Sequence, residues 1–326
     1  MTIGRRPPRF KKLYTTPRFL GGLGIGLITG AIGAISIIDS NLSKHQDDTD
    51  DAADSSKSKE RLEHPALRYG IPSSSSLQLR SDYVVSYDFR TRNPSWVLEC
   101  IKKDKPQSNT EVQRSLATFK ADPQIPENFR VHPNKFKNSG YDRGHLAPAR
   151  NMTTSQKSMD ESFLMTNISP QVGGGFNRAY WSRFEGFVRH IANLYDGAFV
   201  VTGPLYLPKR KRKSEEFVVQ YPVIGKPPDT IAVPTHFFKV ILVRKNDDTF
   251  ASAGFILPNR HIAPDTALRE FLTPVDVIEK YSGLHFFEKL RQGDESDLCT
   301  ETKCVLLENY KRTKKKSTEN AKLKAV

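Results

Sequence analysis

The sequence predicts an α+β domain built around a central antiparallel sheet. Candidate strands outnumber candidate helices, the βαβα rhythm of a parallel sheet is missing, and no segment repeats. The 326 residues suffice for one large domain or two small ones. At 37% hydrophobic and 26% charged, the composition is that of a globular body with polar tails.

The N-terminal segments lie outside any fold. Residues 1–18, MTIGRRPPRFKKLYTTPR, hold six basic residues and no acid, the pattern of a mitochondrial targeting leader. Residues 19–38, FLGGLGIGLITGAIGAISII, carry no charge and are long enough to span a bilayer, so they read as a transmembrane anchor in the mitochondrial inner membrane. A secretory signal is the rival reading, though its apolar region is usually shorter. Gly22, Gly26 and Gly30 form two overlapping GxxxG steps, which either let a second helix pack closely or merely moderate hydrophobicity. Residues 39–68, with Asp47, Asp48, Asp50, Asp51 and Asp54 among Ser and Lys, bury too little apolar surface to fold and read as a tether.

From Tyr69 the pattern becomes globular, and the domain is placed at 69–310. Residues 81–101 read as strand, turn and strand, the turn being RTRNPS. AFVVTGPLYL (198–207), THFFKVILVRK (235–245) and TFASAGFILPN (249–259) are further strands, each closed by Pro, Gly or Asn. Helices are predicted over 155–164 and 178–195. In the second, Trp181, Phe184, Val188, Ile191 and Tyr195 recur at helical spacing and make one apolar face. Residues 311–326 form a basic, disordered tail.

The net charge of +14 points to a polyanion, nucleic acid or an anionic membrane, unless basic tails carry the whole excess. The run KRKRK at 209–213 reads as a phosphate-contacting loop or as a solvated one. Three cysteines and no CxxC argue against a disulfide scaffold and a structural zinc site. Cys100 reads as buried in a strand. Cys299 and Cys304 read as free thiols by default, with a disulfide as the alternative in an oxidising compartment.

The chemistry centres on SGYDRGHLAPARN, residues 139–151. A His in such a cluster serves packing, metal ligation or proton transfer at a phosphate ester. Phosphodiester hydrolysis needs a base for water, positive charge for the phosphoryl oxygens, stabilisation of the leaving oxygen and in-line positioning. His suits the first need near neutral pH. Asn167, Asn177 and Glu185 follow in FLMTNISPQVGGGFNRAYWSRFEGF, residues 163–187. Asn177, Trp181 and Glu185 have the spacing of one helical stripe, on which an amide oxygen and a carboxylate would hold a hydrated Mg²⁺. An N-cap Asn and a solvated Glu are the plainer readings of the same residues.

DRGHLAPAR, TNISPQ, FNRAYW and FE together resemble the DNA/RNA non-specific endonucleases, the ββα-metal (His-Me finger) nucleases, and most of all their mitochondrial endonuclease G branch. The resemblance covers about residues 69–310, with TGPLYLP and PTHFFK as further family-like segments. It implies a His at the end of a strand and an Asn on the following helix. It also implies roles: His145 as general base, Asn177 as the sole direct ligand of Mg²⁺ (Mn²⁺ substituting), Glu185 on metal-bound waters, Asn167 supporting the His145 side, Arg143 at the phosphate or bracing the site. Arg114 aligns more loosely with the family's phosphate-stabilising arginine, and Asp142 is read as tying the loop. Thr166 stands where the family often has Ser, and KRKRK is a local elaboration.

The implied activity is metal-dependent endonucleolytic cleavage of DNA and RNA, leaving 5′-phosphate and 3′-hydroxyl ends, by a homodimer engaged in mitochondrial nucleic-acid turnover or cell-death DNA degradation. Two rivals remain: a membrane-tethered, non-catalytic nucleic-acid-binding protein, and a phosphodiesterase acting on membrane lipid. Of the other histidines, His236 reads as structural, and His132, His190, His261 and His285 have no visible partners.

Overall fold

The computed structural model describes residues 74–103, 111–247, 249–290 and 295–306. The leader, anchor, tether and tail expected at 1–18, 19–38, 39–68 and 311–326 lie outside the described residues, as do 69–73 and 307–310 of the expected domain. Among the described residues, no helix is long and apolar enough to cross a membrane.

The chain forms strands β1 Ser75–Leu79, β2 Tyr83–Asp88, β3 Asn93–Ile101, β4 Asp142–His145, β5 Ile168–Gln171, β6 Ala198–Leu205, β7 Lys209–Arg210, β8 Phe217–Val218, β9 Val223–Lys226, β10 Asp229–Ala232, β11 His236–Arg244, β12 Phe250–Pro258 and β13 Glu295–Asp297. Its α-helices are α1 Gln156–Ser162, α2 Ser182–Leu194, α3 Val275–Ser282 and α4 Leu298–Glu301. Seven strands make the main sheet in the order β1-β2-β3-β6-β11-β12-β13. Every pairing in it is antiparallel except β12 with β13. The expected α+β fold with a central antiparallel sheet is therefore present.

Side-chain alternation explains the sheet's two faces. In β11 every residue from Phe237 to Val243 is buried, which marks a central strand covered on both sides. On one face Phe237 and Phe255 meet Phe176, Trp181, Phe184 and Phe187. On the other, Phe238 and Val240 join Val201, Leu205 and Ile278 of α3. Each fully buried large side chain contributes roughly 1.5–3 kcal/mol, so α2 is held by its aromatic stripe more than by its local propensity.

Three details depart from the sequence-based expectations. Strand β3 begins at Asn93, inside the segment read as a turn, and a register shift between Ser86 and Tyr87 accommodates Pro94. Cys100 is exposed, not buried, because β3 turns Val97, Glu99 and Ile101 inward and Cys100 to the other face near the strand's end. Cys299 and Cys304 are joined in a disulfide, overturning the free-thiol default. The short helix α4 and the turn after it bring their Cα atoms to 5.3 Å, and both residues are buried.

The site-bearing unit is smaller. Strands β4 and β5 pair as an antiparallel ribbon, with Asp142 opposite Gln171 and His145 opposite Ile168. Gly144 is required there, since a Cβ would lie 2.2 Å from the Gln171 side chain. After β5 a segment with π-type hydrogen bonding, Gly173–Trp181, leads into α2 across a kink at Gly174 and Gly175, whose backbone angles are not helical. The helix thus starts before residue 178, with Asn177 N–H donating to Val172 O at 2.9 Å. Gly175, at φ +77°, supplies the left-handed backbone needed where the chain turns into the helix. The resulting strand–strand–helix order is the ββα arrangement that the resemblance implies.

Candidate active site

His145 is the last residue of β4. Its ring is half-buried, but Nε2 is shut off from solvent and has no hydrogen-bond partner. Such a nitrogen costs roughly 1–3 kcal/mol, and orphans of this kind call for a functional account. Burial, and secondarily the Arg114 guanidinium, push the His145 pKa down from 6.5 to about 3. The imidazole is therefore neutral at any physiological pH. Two rings touch it: Phe163 edge-on with centroids 4.9 Å apart, and Phe119 tilted at 5.4 Å.

Behind His145 the chain is pinned by Asn167, which is fully buried. Its Oδ1 accepts from Ala147 N–H, and its Nδ2 donates to the carbonyls of Ala147 and Ser162, all at 2.9 Å. Leu146 N–H donates to Asn167 O at 3.0 Å. The amide thus ties the backbone after His145 to the end of α1, on the side of the site where the resemblance puts it.

Asn177 lies in the π-type segment, and its Nδ2 donates to Asp142 Oδ2 at 2.9 Å. Arg178 places a bidentate fork on the same carboxylate, with both contacts at 2.7 Å. Those hydrogen bonds, Arg178's first, hold the Asp142 pKa below the usual carboxylate range. Asp142 thus ties the loop as expected. It also fixes the orientation of the Asn177 amide through one of its N–H donors.

Glu185, two turns on in α2, has its pKa raised from 4.5 to about 7. Burial dominates, and Lys239, Arg189 and Arg114 oppose it. A carboxylate kept from water in this way gains from a nearby cation. Among the described residues no group of three His, Cys, Asp or Glu forms an all-protein cage. One amide oxygen and one carboxylate instead suit a hard divalent cation that keeps most of its water. The donor set fits that group.

A buried polar cluster beneath Glu185 was not foreseen from the sequence. Lys239, 1% exposed in β11, donates to Thr202 Oγ1 at 2.6 Å and to Leu146 O at 3.5 Å, and sits 5.0 Å from the Trp181 ring centroid. Glu99, 2% exposed, accepts from Asn151 Nδ2 at 2.7 Å, and Arg189 reaches Asn151 Oδ1 at 3.3 Å. Charged residues at inward positions of apolar strands, Glu99 in WVLECI and Lys239 in HFFKVIL, are the available signal. Without the partner strands, each looks like an ordinary polar interruption.

The two expected arginines lie against the rings that touch His145. Arg143 lies over the Phe119 ring at 4.4 Å, and Arg114 lies 5.9 Å from the Phe163 ring centroid and acts electrostatically on both His145 and Glu185. His236 contacts Thr235, His261 packs against Gly175, and His132 and His285 have Glu127 and Glu279 as partners, which the sequence did not reveal.

Residues 63–293 match the family model described as DNA/RNA non-specific endonuclease. "Nuclease 1, mitochondrial" of Schizosaccharomyces pombe is 41% identical over 244 residues, 74% of this chain and 75% of that protein. "Endonuclease G, mitochondrial" of Caenorhabditis elegans is 38% identical over 240 residues, 74% of this chain and 75% of that protein. Among solved structures, a chain in the crystal structure of the EndoG/EndoGI complex superposes with a TM-score of 0.64 at 41% identity, covering 69% of this chain and 91% of that one.

Proposed function

The chain belongs to the DNA/RNA non-specific endonuclease family, and on that premise we propose that it is a divalent-metal-dependent, sugar-non-specific endonuclease with His145 as its general base. The observation that carries this reading is a neutral imidazole at the end of the strand whose first residue, Asp142, holds the Asn177 amide. Strand β4 does both jobs, ending in His145 and beginning with the Asp142 that orients the Asn177 amide.

In this reading the His145 imidazole takes a proton from water through its solvent-facing nitrogen as the water oxygen attacks phosphorus in line. The P–O3′ bond breaks, leaving a 5′-phosphate and a 3′-hydroxyl. Because the nucleophile is water, no 2′-hydroxyl is needed, and DNA and RNA are both substrates. Arg143 and Arg114 contact the phosphate. Asn177 Oδ1 would hold Mg²⁺, or Mn²⁺ in its place, with the Glu185 carboxylate available to the cation's waters. The cation, when bound, supplies positive charge for the phosphoryl and leaving oxygens. A base as weak as His145 in the free protein gains proton affinity when substrate phosphate brings negative charge beside it.

We place the nuclease domain at 69–310, with residues 1–18 as a mitochondrial leader and 19–38 as an inner-membrane anchor. The matched proteins named mitochondrial support the mitochondrion as the compartment. The acting form would be a homodimer, and its role nucleic-acid turnover in mitochondria or DNA degradation in cell death.

The experiment incubates the full chain and its His145→Ala form with supercoiled plasmid and with RNA, in Mg²⁺ and in EDTA. Cleavage of both substrates by the unmodified chain in Mg²⁺ alone, lost in the variant, supports the reading. A metal-independent plasmid shift without cutting, equal in both forms, would favour the non-catalytic binder.

A further inference from the structure

We propose that Phe119 and Phe163 are positioning residues of this nuclease, forming an aromatic cradle that aims the His145 imidazole and carries Arg143 and Arg114 on the same two rings. The inference rests on the reading of His145 as the base. It starts from an oddity: a catalytic imidazole is usually oriented by a hydrogen bond to its second nitrogen, yet no such bond appears here. Two phenyl rings touch the imidazole instead. Phe163 presents an edge-to-face contact with centroids 4.9 Å apart, Phe119 a tilted one at 5.4 Å, and the two phenyl rings touch each other at 4.9 Å. The three rings form a closed triangle.

The outer surfaces of that triangle carry the cations. The Arg143 guanidinium lies 4.4 Å from the Phe119 ring centroid, and that of Arg114 lies 5.9 Å from the Phe163 centroid. A guanidinium on a ring face is held in orientation without losing its hydrogen-bond donors, so those donors stay available for phosphate oxygens. Base and phosphate clamps are therefore one assembly. Of the charged groups around the imidazole, Arg114 acts on it electrostatically, and Arg143 shares the Phe119 ring.

The backbone locks the cradle. Lys120 N–H donates to Phe163 O at 3.1 Å, and Met165 N–H returns to Lys120 O at 2.9 Å, which joins the Phe119 segment to the Phe163 segment. Gln113 N–H donates to Gln156 Oε1 at 2.8 Å, tying the Arg114 turn to α1. Asn167 then joins the end of α1 to the backbone just past His145. Phe163 is buried and Phe119 only partly so, which makes Phe119 the safer position to change.

The test prepares the full chain with Phe119→Leu, Phe163→Leu and Phe119→Tyr, alongside His145→Ala. Two quantities are read: the titration of the His145 ring by NMR in metal-free protein, assigned by its loss in His145→Ala, and kcat and KM for plasmid nicking in Mg²⁺. Leucine keeps the bulk and removes the ring. The expected result is a kcat about 10- to 100-fold lower in each Leu variant, the scale of a misplaced catalytic group, with KM changed much less. The His145 midpoint should rise from about 3 toward 6.5. Phe119→Tyr should restore both quantities.

Leu variants that nick within about twofold of the unmodified rate overturn the proposal. So does a loss of kcat with His145 resonances unmoved, which would assign the rings a different task. If Phe163→Leu does not fold, Phe119→Leu decides. Undiminished nicking by His145→Ala would sink the general-base reading itself. An inactive His145→Ala beside fully active Leu variants would sink only the cradle.

Discussion

The Asn177 amide donates to Asp142 Oδ2 at 2.9 Å across 35 residues of sequence, and Arg178 clamps the same carboxylate from the next position. The orientation of the candidate metal ligand is thus set by the first residue of the strand that ends in the candidate base. Asp142→Ala removes that restraint while leaving Asn177 in place. The Mg²⁺ concentration for half-maximal nicking should rise about 10- to 100-fold, the usual cost of losing such a support, with much of the rate recovered at saturating metal. A metal titration of plasmid nicking checks this, and an unchanged midpoint would mean that Asp142 does not position the ligand.

Gly175 opens the π-type segment toward the helix at φ +77°, and a Cβ there would sit 2.1 Å from His261 Cδ2. Gly175→Ala should destabilise the fold by about 1–3 kcal/mol and disturb Asn177 two residues on. Urea unfolding should show a lower midpoint, and nicking should fall beyond the loss of folded protein. His261→Ala in the same background should recover part of the stability by clearing space, leaving only the backbone strain.

Two groups make stability depend on pH in opposite senses. His145 drops from 6.5 to about 3 on folding, so the unfolded chain binds its proton first. Its contribution is intact above pH 6.5 and is lost as pH falls toward 3. Glu185 rises from 4.5 to about 7, so the folded chain keeps its proton longer. Its contribution is intact below pH 4.5 and is lost as pH rises through 7. In metal-free protein at pH 8, Glu185→Gln should therefore have a higher Tm than the unmodified chain while nicking far more slowly in Mg²⁺. A lower Tm at pH 8 would mean that Glu185 is already compensated by Lys239 and Arg189.

The KRKRK run folds as the β7–β8 hairpin, where Arg210 pairs with Glu215 and Lys211 with Glu216. Among the described residues, Lys209, Arg212 and Lys213 have no carboxylate partner, so a phosphate-contacting loop would act through these three. Replacing these three with Ser should weaken binding to long duplexes and make log Kd less steep against log salt, by about 1 for each phosphate no longer neutralised. An unchanged slope would make the hairpin a solvated loop.

The core of the fold was legible because the signals were local. The runs in β6, β11 and β12 are apolar and β-branched, and the stripe from Trp181 to Ile191 has helical spacing, so each element announced itself. The candidates His145, Asn177 and Glu185 stood out because their motifs are compact. Relations across the sequence were not legible. Nothing in WVLECI said that Glu99 would face Asn151, and nothing in HFFKVIL said that Lys239 would reach Thr202 and the Leu146 carbonyl. The glycine run before α2 is non-helical at Gly174 and Gly175, as a Gly-rich loop should be, and only the π-type turn from Val172 to Asn177 went unread. Phe119 and Phe163 have the look of ordinary core residues in the sequence, and only the fold sets their rings against His145.

Chemical rescue of a cavity variant tests the central claim most directly. His145→Gly leaves a space between Phe119 and Phe163 that an added imidazole would fill. If His145 moves a proton, the variant should be nearly inactive in Mg²⁺ and imidazole should restore nicking in a saturable manner, with substituted imidazoles ranking by basicity. If the variant stays folded and metal-bound yet imidazole restores nothing, or if it nicks at the unmodified rate without rescue, then His145 is not the base.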